Sequence, residues 1–458
     1  MLRASAIIEK AGIPSASLIC DGFGGQASAI RGGLGVPDLP VTRIAGHPDS
    51  QTVDELSQNL VDVTVPQIIE HLTESPPASY DETGSVETAN SSRIVARGSF
   101  DEINQFFEAQ QWSDGLPIVP PTRDRVAAFF AHSSEDPDRE LGVLQPSGRL
   151  ATTRNVAVNG VMANCRPEYM PVLVAVAEAL VDPDYGVQHS GDTTGGEALA
   201  ILSGPAAKTV GFNFEGGALR DGYRANTSVG RFIRLFLRNV AGSRLGGADK
   251  STFGNTWRVV LAENYMATQE FGWSNLTVDQ GFGAEDSTVT LARYTGGGIV
   301  GSVYGRTADQ IVPYLADGLV RQMSWEYAFT VGFAPGTARP LLVLSPQIVK
   351  TLFADGVGKD QLRTLLFEHA RIPARKMETY IGPWCNLVSG RRTLARLVAD
   401  GAADPVFRGD DPDRLVPIAA RPEHFMIVVS GDPFRSNAYA FGHNGMHGFP
   451  TTKKVRMP

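Results

Sequence analysis

Cysteine is scarce in this chain: three in 458 residues, Cys20, Cys165 and Cys385. Three thiols so far apart exclude a disulfide framework of the kind that staples secreted domains. No apolar run reaches the roughly 18–20 residues that cross a bilayer. The N-terminus lacks a charged-then-apolar leader with a small-residue cleavage site, so the reading is a cytoplasmic protein. Neither sign of charge forms a long run, and 41 basic against 49 acidic side chains leave a net charge of −8. That excludes nucleic acid or an anionic membrane as the main partner. A Walker A loop is absent too. SRLGGADKSTFGNT (243–256) is bracketed by glycine but has no Gly-Lys-Ser/Thr ending at the required spacing.

The chain has the makings of an α/β protein. Hydrophobic residues are 42% and charged residues 20% of it, as in ordinary globular domains. Residues 1–73 read as a small flavodoxin-like unit. A helix ends at Lys10, with Ala4, Ile7, Ile8 and Ala11 on its apolar face, and Gly12 stops it. A strand leads to Cys20, then come the turn DGFGGQ, a helix from Ala27 to Gly32, and a helix from about Thr52 to Leu72. Residues 74–98 are a linker, rich in Ser, Pro, Thr, Glu and Asp. Residues 99–458 form a larger α/β domain. In it LAILSGPAAKTVGF and LLVLSPQIVKTLFADG each run strand, Ser-Pro turn, short helix and glycine, which reads either as two related modules or as only the common grammar of α/β proteins. The apolar helix Pro171–Leu180 should be buried.

Opening on a helix leaves the first parallel strand without the strand that precedes it in a β-α-β unit. The expected unit therefore lacks its leading strand, and with it the loop where chemistry is usually placed. GIPSASLICDGF (12–23) and GVPDLPVTRIAGHP (35–48) resemble the UGSC-like family, whose members carry a Sec/Cys-Gly-Ser-Cys motif in that loop. VAVNGVMANCRPEYMPVLVAVAEAL (156–180), RANTSVGR (224–231) and LLFEHARIP (365–373) resemble a large domain that accompanies such proteins. The tetrad itself is absent from the chain. The resemblance therefore implies that a partner chain, or a segment upstream of Met1, supplies it. An unpaired edge along Ile13–Cys20 points to a partner as well.

Several residues are candidates for chemistry. Cys165 follows a helix and precedes Arg166, a setting that favours thiolate and predicts faster alkylation than at Cys385. The competing reading is a small buried hydrophobe. Arg231, Arg234 and Arg238 share one helix face, where ion pairing is the plainer role. Arg224 and Asn226, ahead of an N-cap at Thr227 or Ser228, are the better anion ligands. In the next loop Lys250, Ser251 and Thr252 should converge with them on a small anionic substrate. Glu263, after a strand at 259–262, is placed to act as a general base. His47 is expected where a C-terminal strand end opens on the first unit's site. The histidines give no metal signature. His443 and His447 are four apart but not on a helix, and His189 would have to face them from elsewhere. No cofactor is named by these patterns.

The expected protein is an enzyme subunit, a thiol- or selenol-dependent oxidoreductase or lyase in a larger oligomer. Its reactive motif comes from a small subunit or an upstream segment, and its large domain binds the substrate. The alternatives are a self-contained acid/base lyase or hydrolase using Lys250, Glu263 and a histidine, and a non-catalytic assembly subunit.

Overall fold

Short parallel strands joined by helices open the chain, as their apolar runs and turn residues dictate. The computed structural model describes residues 2–73, 93–255, 258–332, 334–385, 393–445 and 448–458. Helix α1 (Leu2–Lys10), strand β1 (Ser17–Cys20), helix α2 (Gly24–Gly33) and strand β2 (Val41–Ile44) enclose a small core of Leu2, Ala6, Ala27, Val36 and Leu39. β1 pairs directly with β2 in parallel, Ser17 opposite Val41 and Cys20 opposite Ile44.

The expected face of α1 is reversed. Leu2, Ser5, Ala6 and Glu9 point inward, because Glu9 accepts the backbone N–H of Ser15 at 2.6 Å and Ser5 bonds Ser17. Ala4, Ile7, Ile8 and Ala11 face outward, with Ile7 72% exposed. A helix from Val53 to Thr73 follows, interrupted by a π turn at Leu60–Thr64 and started by a Thr52–Glu55 capping box. The greater part of the expected linker, 74–92, lies outside the described residues; 93–98 has no regular structure.

The large domain is α/β, built on one curled mixed sheet. Its strands are β3 (Glu197–Ser203), β4 (Leu261–Ala262), β5 (Thr288–Val300), β6 (Leu341–Leu344), β7 (Met426–Val429), β8 (Ala438–His443) and β9 (Thr451–Lys454). The order is β7-β6-β8-β5-β3-β4, with β9 added beside the first half of β5. The sheet divides into two modules that correspond strand for strand. β3 is parallel to β4 and antiparallel to β5; β6 is parallel to β7 and antiparallel to β8; β5 and β8 pair antiparallel at the centre.

The modules also meet at their strand ends. The N–H groups of Glu263 and Ser430, just after β4 and β7, bond Leu202 O at 2.8 Å and Leu344 O at 2.9 Å. Asn264 N then reaches Val429 O at 2.7 Å, which joins the two modules. Helices cover the outer sheet face in two clusters. The first is led by α3 (Thr153–Met162), α4 (Met170–Val181) and α5 (Arg224–Phe236). The second surrounds the helices 308–322, 346–354, 359–369 and 374–385. The inner face holds Leu199, Ile201, Tyr294, Val343, Val428 and Phe441. α4 is buried on nearly every side, as its composition requires.

Candidate functional site

At the N-terminal end of β3, three loops lock together. Gly191 has φ +81°, and a Cβ there would lie 2.6 Å from Asp249 Cα, so loop 189–196 runs backbone against backbone with loop 244–255. Lys250 N donates to Gly191 O at 2.7 Å. Thr252 donates to Thr193 O from its N–H at 3.1 Å and from its hydroxyl at 2.9 Å. Asn255 Nδ2 bonds Gly195 O at 3.1 Å and Thr295 O at 2.7 Å. Asp249 Oδ1 accepts both the N–H and the hydroxyl of Ser251, at 3.0 and 2.7 Å. From beyond β8, Asn444 Nδ2 clamps Asp192 at 2.5 Å, while Asp192 also accepts the N–H groups of Gly195 and Gly196. Lys250, Ser251 and Thr252 thus stand on a loop fixed from two sides.

The first unit leans on the same loop. Gln26 Nε2, in the first turn of α2, donates to Ala248 O at 3.3 Å, and Gly25 lies so close to Gly246 O that a Cβ would be 3.3 Å from it. The turns after β1 and β2 follow at this end of the unit. Asp21 takes a two-pronged bond from Arg43 at 2.7 and 2.8 Å and another from Gly46 N at 2.8 Å. These bonds hold its carboxyl well below the usual carboxylate range. His47, three residues past β2, stacks on Phe23 with ring centroids 6.1 Å apart. His47 therefore stands at the strand end where the sequence puts it, and ligands of parallel α/β sheets gather at such ends.

Other expected site residues are elsewhere. α5 begins at Arg224 with Tyr223 before it and no side-chain cap, not at Thr227 or Ser228. Helix α5 and its π turn run unbroken from Arg224 to Ala241, about 26 Å at 1.5 Å per residue, so Arg224 and the Lys250 loop follow opposite ends. Arg224 bonds Asn164, and Asn226 is buried, tying Asn213 to Val260. The expected convergence of Arg224 and Asn226 with Lys250 does not occur. Arg231 forks onto Asp114 and Arg234 pairs with Glu197, the ion-pairing role.

Glu263 sits beyond the C-terminal end of β3, six residues and about 20 Å from the loop at that strand's other end. It is fully buried, accepts from Ser203 at 2.5 Å and from Leu276 N at 2.8 Å, and burial pushes its carboxyl up. Its hydrogen bonds stay within the first module, and a general base shared with Lys250 is not assembled. His443 is buried, accepts from Arg339 N at 3.1 Å, packs edge-on to Tyr294, and is driven well below the usual histidine range by burial. His447 lies outside the described residues, and His189 closes a short helical turn ahead of Gly191. Among the described residues no group of three His, Cys, Asp or Glu side chains is arranged to hold a metal.

Cys165 also departs from its expected role. It is 6% exposed, and burial pushes its thiol up to about 12, outweighing Arg224 and Arg231. The helix boundary is present, but desolvation decides. Native Cys165 should alkylate far more slowly than half-buried Cys20. Mass spectrometry after timed iodoacetamide exposure checks this, and equal rates at the two thiols would contradict it.

The Asp192–Asn444 clamp was out of reach of a sequence reading, because 252 residues separate the partners. The only local signal was the glycine cluster after Asp192, in DTTGG.

Residues 1–74 match the model of the UGSC family. No curated protein and no solved structure matches the chain. Among the described residues no helix is long and apolar enough to cross a membrane.

Proposed function

We propose that this chain is a cytoplasmic enzyme subunit for thiol- or selenol-dependent redox or lyase chemistry on a small anionic molecule. The Sec/Cys-Gly-Ser-Cys motif is contributed by a partner chain or an upstream segment, and the large domain holds the substrate. The observation that carries this reading is the junction itself. The family match covers the unit whose β1 and β2 turns carry Phe23 and His47, and α2 of that unit bonds the Lys250 loop of the large domain through Gln26 and Ala248. A thiol delivered at those turns would face a loop of glycines, Lys250 and Ser251. The exposed Ile7, Ile8 and Ile13 support a partner on the first unit, since clustered apolar exposure marks interaction surfaces.

The test is reconstitution. The purified chain is assayed alone and with a polypeptide carrying the tetrad, against a panel of small carboxylates and phosphates under reducing conditions. Turnover should require the mixture and be abolished by alkylating the added polypeptide. Turnover by this chain alone would reject the reading in favour of a self-contained catalyst. Complex formation without turnover on any member of the panel would favour the assembly subunit.

A further inference from the structure

β5 is paired on both edges for only part of its length. Its first half, 288–294, lies between β3 and β9. Its second half, from Gly296 to Val300, pairs with β8 alone, and among the described residues no strand lies along its other edge. The register fixes which backbone groups face that edge. Ser345 N donates to Asn437 O, so Asn437 faces β6, and by alternation Ala438, Ala440 and Gly442 face β5. Their partners Val300, Gly298 and Gly296 are bonded to β8. The N–H and C=O groups of Gly297 and Ile299 therefore point out along the open edge.

Soluble proteins blunt such edges with charge, proline or a covering element. TGGGIVGS (295–302) has no charge and no proline, and the Ile299 side chain is exposed. Exposed aromatics stand at both ends. At the first end, Asn255 Nδ2 holds Thr295 O at 2.7 Å, and Phe253, two residues before Asn255, is 99% exposed. At the other, Val303 N donates to Ser436 O at 2.9 Å and Ser436 Oγ donates to Val303 O at 2.7 Å. Tyr304 follows Val303, Phe434 precedes Ser436 by two residues, and both are largely exposed.

We propose that a second copy of this chain adds its own Gly296–Val300 segment to this edge, antiparallel and across a two-fold axis, so that the two sheets become one. With Gly298 on the axis, Gly297 of each copy faces Ile299 of the other, and each such pair exchanges both of its backbone bonds. The same pairing sets the Thr295 end of one copy against the Val300 end of the other. Phe253 then meets Tyr304 and Phe434 across the interface, twice over, as an isologous contact requires. Aromatics with no counterpart in one copy are matched in the pair, which is why the occupant is a second copy and not an unrelated extended peptide. An aromatic side chain carries about 150–250 Å², so three rings and Ile299 from each copy supply roughly 1,000 Å² in all, the threshold of a specific interface. The other copy's Tyr304 would then stand beside the Lys250 loop. This contact is read from the sheet edge and its aromatics, and it stands or falls apart from the enzymatic reading.

Sedimentation equilibrium of the full chain, with hydrogen exchange read over β5, tests the contact. Wild type should be a dimer at micromolar concentration, with the Gly297 and Ile299 amides protected. Phe253→Lys and Tyr304→Asp each change an exposed side chain, so each should keep the wild-type circular dichroism. Each should nevertheless weaken the dimer about thirtyfold or more, the scale of a lost hot spot, and leave both amides in free exchange. An equal mixture of the two variants should dimerise again, because one junction then sets the new lysine against the new aspartate while the other keeps Phe253 with Tyr304. Ile299→Lys, at the edge itself, should give the same loss of dimer without altering either aromatic end. A monomeric wild type, or a dimer whose two amides exchange freely, overturns the proposal. So do variants as dimeric as wild type, and a mixture that stays monomeric.

Discussion

Asp279→Ala should cost the large domain about 3–5 kcal/mol, the usual loss when one partner of a buried ion pair is removed. Asp279 follows β4 in the first module, yet its ion pairs are to the second. It accepts Lys359 Nζ at 2.5 Å and Arg363 Nη2 at 2.7 Å, and Ser274 completes its shell at 2.6 Å. Lys359 is 4% exposed and has otherwise only Ser274 O, while Arg363 also holds Phe425 O at the entry to β7. Without the carboxylate, buried Lys359 loses its counter-charge, Arg363 keeps only the exposed Asp360, and the tie between modules is cut. Equilibrium urea unfolding measures the loss, and a cost below about 1 kcal/mol, the range of an exposed pair, would refute the assignment. Adding Lys359→Met should recover part of the stability, because the stranded cation is then gone.

The pH dependence follows from the same contacts. Burial pushes the Asp279 carboxyl up, but Lys359 and Arg363 outweigh it and leave the group below its ordinary value. A carboxyl depressed in the folded state contributes stability above its unfolded value, near 3.9, and loses it as pH falls through the folded one. The gap between wild type and Asp279→Ala should therefore be constant at neutral pH and narrow only in acid.

What the sequence disclosed, and what it hid, divides along local and distant physics. The repeated strand–Ser-Pro–helix phrase located β3 and β6, and the modules built on them do correspond, because each phrase contains its own turn and apolar run. The two central strands were invisible. β5 passes through Thr295-Gly296-Gly297-Gly298, which has no β preference of its own. It is a strand because Tyr439 and Phe441 of β8 lay their rings over Gly297, where a Cβ would approach to within 2.5–2.8 Å. β8 itself lies in a tail with little regular period. α1 failed for a different reason. Its apolar period is real, but Glu9 and Ser5 make specific bonds that turn the polar side inward, and periodicity carries no information about those partners. At the site, the glycine-bracketed loop was legible from its own residues. The pairing of Arg231 and Arg234 depends on Asp114 and Glu197, both distant in sequence.

Gly33→Val should separate the first unit from the large domain while leaving both folded. A Cβ at Gly33 would stand 1.8 Å from Pro146 O and 2.9 Å from Pro146 C, and a Cβ at Gly148 (φ +69°) would stand 2.2 Å from Gly33 O. Both obstructions are backbone, so no rotamer change relieves them, and close-packed interiors do not absorb an overlap of that size. α2 must lift away. Gln26 lies seven residues, about 10 Å, back along the same helix, so the Gln26–Ala248 bond should break with it. The first unit's own core of Leu2, Ala6, Ala27, Val36 and Leu39 does not use position 33, so it should survive. The check is a bifunctional maleimide joining Gln26→Cys to Leu245→Cys, an exposed position on the same loop, in a background without the native cysteines. Cross-linking should be efficient in the parent and fall to background in Gly33→Val. Gly24→Ala is the control: it has a negative φ and nothing within 4 Å of the added Cβ, and it should cross-link like the parent. Parent-level cross-linking in Gly33→Val would mean that the glycine contact does not hold the junction, and the thiol-delivery reading would lose the geometry it depends on.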